Sequence, residues 1–263
     1  MKDLLSVEWL KIKSYRTFWI LIGCFIVLLP LWNYEISKGI INFTKGAGAN
    51  LLGGAYSFPG VWGNVGFWGS VFVLFLSMLI IIITTNEFTF RTHRQNVIDG
   101  WSRLQFYHAK VLMVVLFSVL ATIYYIIIGA CFGMSNLGTF GDIFSAPEQF
   151  GYFFLISLDY MGFAMLLALL LRRSGLSMGL FLVYTIILEA ILQHSLNYIT
   201  SSKAGNYLPL QASDELLPFP LTEMMRNMMH AQQSSLSSYV YVTIGWCLVY
   251  YFAGRMMMLK RDW

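Results

Sequence analysis

The sequence predicts an all-α polytopic membrane protein with six transmembrane helices, and three observations carry that prediction. Of its 263 residues 57% are hydrophobic, 17% aromatic and only 11% charged, and the mean hydropathy is +0.64, outside the range of soluble domains. Residues 17–34, 46–86, 111–141 and 227–254 contain no Asp, Glu, Lys or Arg, and roughly 20 apolar residues suffice to cross the hydrocarbon core as a helix. These runs also lack the polar/apolar alternation of barrel strands.

Placing spans at Thr17–Ile36, Gly66–Thr85, Val111–Gly133, Phe150–Leu171, Leu176–Tyr198 and Tyr239–Met258 puts both termini on one side of the membrane. That side receives 13 of the 17 Lys and Arg residues, leaving Lys38, Lys45, Lys203 and Arg226 on the other. Positive residues are retained in the cytoplasm during insertion, so both termini are expected there. The net charge of +4 reflects this retention. It does not form the clustered basic face that nucleic-acid binding needs.

Taken in chain order, residues 1–16 read as an interfacial helix, with Leu5, Trp9 and Ile12 on one face and lysines toward lipid headgroups. The connection after the first span carries Gly60, Gly63, Gly66 and Gly69, which read as permitting irregular backbone and then close helix contact as the second span begins. Residues 86–110 interrupt the apolar pattern with a basic loop. Arg91, Arg94, Arg103 and Lys110 lie there beside a short apolar stripe, Val97, Ile98 and Trp101. Asp99-Gly100 reads as a turn, and Ser102 with Gln105 has capping-box spacing, so the third helix is expected to start well before the bilayer.

The fourth and fifth spans are joined by only Arg172-Arg173-Ser174-Gly175 and must form a tight antiparallel hairpin. The segment 199–238 is expected outside the membrane, with Leu221, Met224, Met225, Met228 and Met229 marking an amphipathic helix that ends near His230. Thioether and imidazole groups suit Cu(I), but a lipid-facing helix explains the same methionines, so no metal site is assigned. Cys24, Cys131 and Cys247 fall inside spans and read as small packing residues. His194 and Ser195 are adjacent only in sequence, and no catalytic residue is assigned.

Asp159 and Glu189 are the carboxylates set deepest in the spans, at similar depth in the outer half. Two readings follow. Each is a protonated acid bonded to Tyr124, Tyr125, Tyr160, Tyr184 or backbone and joins helices, or the pair forms a substrate or proton site. Nothing matches a phosphate-binding loop, so the chain is expected to bind no nucleotide and no cofactor of its own.

The 86–110 loop resembles the cytoplasmic loop of type-2 ATP-binding-cassette (ABC) exporter permeases. Those loops have an acid leaving span two, then Thr and Arg, then a Ser-Arg pair and a Lys entering span three. Here these are Glu87, Arg91-Thr92, Arg94, Ser102-Arg103 and Lys110, while Asn-Val-Ile-Asp-Gly-Trp stands where a Leu-Leu and Pro-containing stretch is more usual. The resemblance extends in order over nearly the whole chain. It implies a six-span half-transporter in a bacterial cytoplasmic membrane, paired with a second permease subunit, either an identical copy or a close paralogue. Two copies of a separate ABC ATPase would supply Mg-ATP chemistry. The loop would dock on that ATPase as a coupling helix, through Glu87, Arg91, Thr92, Arg94, Val97, Ile98, Asp99, Trp101, Ser102 and Arg103. The cargo expected is apolar or amphipathic, since few ionisable groups lie in the spans. The alternative is a stand-alone channel or proton-coupled transporter using Asp159 and Glu189, for which the internal repeat of such transporters is missing.

Overall fold

The computed structural model describes residues 12–13, 15–38, 56–90, 92, 102–136, 138–220 and 236–260. Within them, six helical stretches are long and apolar enough to cross a membrane, and no strand is present among the described residues. They are α1 (Arg16–Ser37), α2 (Gly60–Thr89), α3 (Arg103–Ser135), α4 (Glu148–Leu171), the bipartite stretch Ser174–Thr200, and a last helix Leu236–Lys260. The bipartite stretch consists of α5 (Ser174–Val183), a π-helical turn (Tyr184–Leu188) and α6 (Glu189–Thr200). A one-turn helix, α7 (Gln211–Asp214), precedes the last helix, α8 (Leu236–Lys260). Of the expected helix over residues 3–16 only Ile12, Lys13, Tyr15 and Arg16 are among the described residues, and the expected helix over 221–230 lies outside them, as do Arg91, Arg94, Val97, Ile98, Asp99 and Trp101 of the loop.

Local chemistry explains where the elements begin. Ser102 and Gln105 form the expected capping box, with Gln105 N–H donating to Ser102 Oγ (3.1 Å) and Ser102 N–H to Gln105 Oε1 (2.8 Å). Helix α3 therefore starts eight residues before Val111, and α2 runs on to Thr89, so both helices extend further into the 86–110 stretch than the apolar pattern alone predicts. Helix α2 also starts earlier than expected, at Gly60, directly after Pro59 at its N-cap. Residues 60–69 are thus helical rather than irregular. The close-contact half of the expectation does hold: a Cβ on Gly69 would sit 2.6 Å from the Phe153 ring, and one on Gly66 2.9 Å from Leu217.

Helix α2 is the staff of the bundle, packed on α1, α3 and α4. It is apolar all round, as a helix enclosed by others should be. Phe153 stacks on Tyr125 (4.4 Å between centroids), and Trp62 meets Phe150 edge-on (4.8 Å), tying α2, α3 and α4 together. Buried Asn33 on α1 is fully engaged, donating to the Leu29 carbonyl (2.8 Å) and accepting from the Tyr56 hydroxyl (2.9 Å). The α4–α5 hairpin turns at Arg172 in a left-handed conformation (φ 54°) and is as tight as expected.

Connectivity gathers the 90–102 loop, the Arg172-Arg173 turn and the C-terminal end of α8 at one end, the basic end. At the far end, residues 204–217 do not skirt the surface. Leu210 and Ala212 are wholly buried, Leu216 and Leu217 nearly so, and the segment plugs the bundle as a cap.

Candidate functional site

Two constellations of buried charge stand at opposite ends of the bundle. At the basic end, Glu87 from the last turns of α2 accepts from Lys110 Nζ of α3, and both side chains are almost completely buried. Lys110 Nζ also lies 5.5 Å from the centre of the Phe106 ring, which meets Phe88 edge-on. The Arg172 guanidinium lies 5.0 Å from the Phe88 ring centre. The bases of α2 and α3 and the α4–α5 turn are thereby locked together where the 90–102 loop leaves and re-enters the bundle. Nearby, Tyr107 donates to the Tyr251 carbonyl (2.8 Å) and His108 stacks on the Tyr251 ring, joining α3 to α8. Thr92 Oγ1 lies 3.5 Å from the Glu87 carbonyl, and Ser102 caps α3 immediately before Arg103.

At the far end the buried acids Asp159, Glu189 and Asp214 meet no lysine or arginine among the described residues. Glu189 accepts from the backbone N–H groups of Leu210 (2.7 Å) and Gln211 (2.9 Å), so it fastens the cap to the bundle. The π turn just before it inserts one residue, which rotates Glu189 by roughly 100° from where a straight α-helix would aim it. Asp159, wholly buried on α4, receives the Cys247 thiol (3.8 Å) at Oδ1. Ser213 is beside it but gives its hydroxyl to the Leu210 carbonyl (2.7 Å), and Asp159 Oδ2 is left without a partner. Tyr160 donates into the carboxylate of Asp214 (2.8 and 3.0 Å to its two oxygens). Burial raises the Asp214 carboxyl to about 7; the Tyr160 hydrogen bond opposes this, and the nearby charges of Glu189 and Glu215 add to it.

Asn206 organises the rest of the cap. It accepts from Gln193 (3.2 Å) and Asn197 (3.1 Å) and donates to Glu215 (3.1 Å) and Tyr239 (3.4 Å). Beside this network lies a cavity of about 420 Å³ between α2, α4, the π turn and the cap, with Tyr160, Asp214 and Glu215 among its polar walls.

The family model for a protein of unknown function, DUF2705, matches residues 19–263. The chain belongs to the DUF2705 family. Among curated proteins nothing matches it.

In this DUF2705 chain the two carboxylates singled out from sequence, Asp159 and Glu189, come close enough to influence one another, but no hydrogen bond joins them. Of the partners expected for them, backbone serves Glu189, whereas Tyr160 turns to Asp214, Tyr124 to the Ile26 carbonyl and Tyr125 to the Trp62 carbonyl (2.9 Å). Tyr124 and Tyr125 are taken up by α1 and α2, where Phe25 and Trp62 meet their rings.

Sequence reasoning missed Asp214, since nothing in a non-periodic connection marks a residue that will be folded under the bundle. Cys247 was read as packing alone, yet its thiol is spent on Asp159. The Glu87–Lys110 pairing did leave a signal, an acid and a base flanking one loop at the ends of two apolar helices. Among the described residues no group of His, Cys, Asp and Glu is arranged to hold a metal ion.

Proposed function

We propose that this chain is the permease subunit of an ABC exporter, driven by a separate ATPase that docks on the loop between α2 and α3. The observation that carries the reading is the buried Glu87–Lys110 pair. It lies where the family resemblance puts an acid leaving span two and a lysine entering span three, and it binds both helices at the root of the loop. A loop so rooted transmits load: displacing it moves α2 and α3 together rather than straining a flexible tether. The capping box of α3 acts in the same sense by starting that lever before the apolar stretch.

On this reading both termini and the loop face the cytoplasm of a bacterial inner membrane, following the excess of Lys and Arg there. The subunit works with a second permease copy or paralogue and two ATPase subunits, binds Mg-ATP only through them, and moves an apolar or amphipathic cargo outward. The channel or proton-coupled alternative would need Asp159 and Glu189 free to exchange protons, and Glu189 is engaged in holding the cap.

Detergent extraction of the native complex tests the proposal. A phosphate-loop ATPase should co-elute with the wild-type chain, and Trp101→Ala combined with Arg103→Glu should abolish co-elution while leaving membrane insertion intact. Unchanged recovery of the ATPase with that double variant, or translocation by the purified chain without any nucleotide-hydrolysing companion, would defeat it.

A further inference from the structure

The far-end cavity combines features that a merely structural void would not need. Its volume, about 420 Å³, lies within the range of small-molecule sites. One side is apolar, formed by Phe67, Val71 and Leu74 of α2, Ile186 of the π turn and Phe219 beyond the cap, with Phe67 and Phe219 in ring contact at 5.0 Å. The other side is acidic, with Asp214 and Glu215, and among the described residues no lysine or arginine lines it. Glu215 is engaged with Asn206. Among the described residues Asp214 has a single hydrogen-bond donor, the Tyr160 hydroxyl, shared between its two oxygens, whereas a carboxylate can accept about four hydrogen bonds. Behind it, Asp159 Oδ2 is wholly buried and unsatisfied, an uncommon cost for a structural acid. Two acids of the cap, Asp214 and Glu215, thus line a partly apolar space, with Asp159 and Glu189 buried near Asp214.

We propose that this cavity binds a cationic amphiphile, with the Asp214 carboxylate facing its positive group and the Phe67, Val71, Leu74, Ile186 and Phe219 side chains against its apolar body. Tyr160 orients Asp214, and the aromatic pair offers its ring faces to a delocalised or quaternary cation. The inference deepens the exporter reading by assigning a charge to the cargo, and it rests on that reading for the role of the site, not for binding itself.

The test uses the full-length chain, purified without an ATPase and reconstituted in nanodiscs of uncharged phosphatidylcholine. The probe is radiolabelled tetraphenylphosphonium, compared with tetraphenylborate, an anion of the same shape. Saturable binding of the phosphonium and none of the borate is expected. Asp214→Asn should weaken phosphonium binding about tenfold or more, the scale on which a half-buried charge contact acts. Ile186→Trp, which fills the cavity and leaves every acid in place, should weaken it as well, and thermal unfolding confirms that each variant is folded. Equal binding of the two ions, or phosphonium affinity unchanged in both variants, overturns the proposal. The two readings fail separately: loss of charge selectivity removes this site and leaves ATPase co-elution standing, whereas an ATPase that never co-elutes removes the exporter and leaves phosphonium binding intact.

Discussion

At the basic end Glu87 is buried against a lysine, while at the far end Asp159, Glu189 and Asp214 are buried against a thiol, backbone N–H groups and a phenol. Both arrangements remove carboxylates from water, but they neutralise charge differently. A lysine held by a helix supplies a permanent counter-charge, and the junction is then rigid. Hydroxyl, thiol and amide donors only soften the penalty of burial, so the far-end acids still gain from a proton or an incoming cation. The two ends therefore differ in how buried charge is met, by a counter-charge at one and by neutral donors at the other.

Removing the lysine is the most direct way to break the contrast. Lys110→Met removes the lysine counter-charge from buried Glu87 and should cost about 3–5 kcal/mol, seen as a large drop in the thermal unfolding midpoint in detergent. The double variant Glu87→Leu with Lys110→Met should recover most of that loss, since an apolar pair of similar volume avoids desolvation altogether. Failure of the second change to rescue the first would mean that Lys110 stabilises the fold by something other than pairing with Glu87.

Next in size is the fastening of the cap. Glu189→Leu orphans the Leu210 and Gln211 N–H groups and should cost about 2–3 kcal/mol, with protease cleavage appearing within residues 201–217. Glu189→Gln keeps a carbonyl acceptor and should cost clearly less. Equal damage from the two would show that charge, rather than hydrogen bonding, holds the cap.

Packing between the two ends comes third. Gly69→Ala brings a Cβ to 2.6 Å from Phe153, and the ring can yield only by disturbing its stack on Tyr125. A loss of about 1–3 kcal/mol is expected from the same unfolding measurement.

The last effect is a pH slope. Burial lifts Asp214 from 3.8 to about 7, so the folded protein holds a proton there that the unfolded chain releases between those values. The stability contributed by this group is full below 3.8 and declines as pH rises toward about 7, levelling off above. Asp214→Asn should therefore flatten the dependence of unfolding midpoint on pH between 5 and 8, relative to wild type. An unchanged slope would mean that Asp214 is not the group that titrates in this range.

The parts that were legible in the sequence share one property: each is encoded within a few residues of itself. Six apolar helices follow from uninterrupted hydrophobic length, the start of α3 from Ser102 and Gln105, and the α4–α5 hairpin from a connection too short for anything else. Even the basic end is partly visible, because acid and base both flank one loop. The cap and its acids were not visible. Asp214 has no periodic pattern around it, and its burial depends on Leu210, Leu216 and Leu217 finding space beside α2 and α4. Glu189 could be recognised as a buried carboxylate, but its direction is set by a π turn that an assumption of regular helix cannot anticipate. Sequence alone determined which segments must be helical and are long and apolar enough to cross a membrane, because hydrophobicity and capping act locally. Only tertiary structure decided that Glu87 meets Lys110 and that Asp214 meets Tyr160, because such partnerships depend on which faces of distant helices pack together.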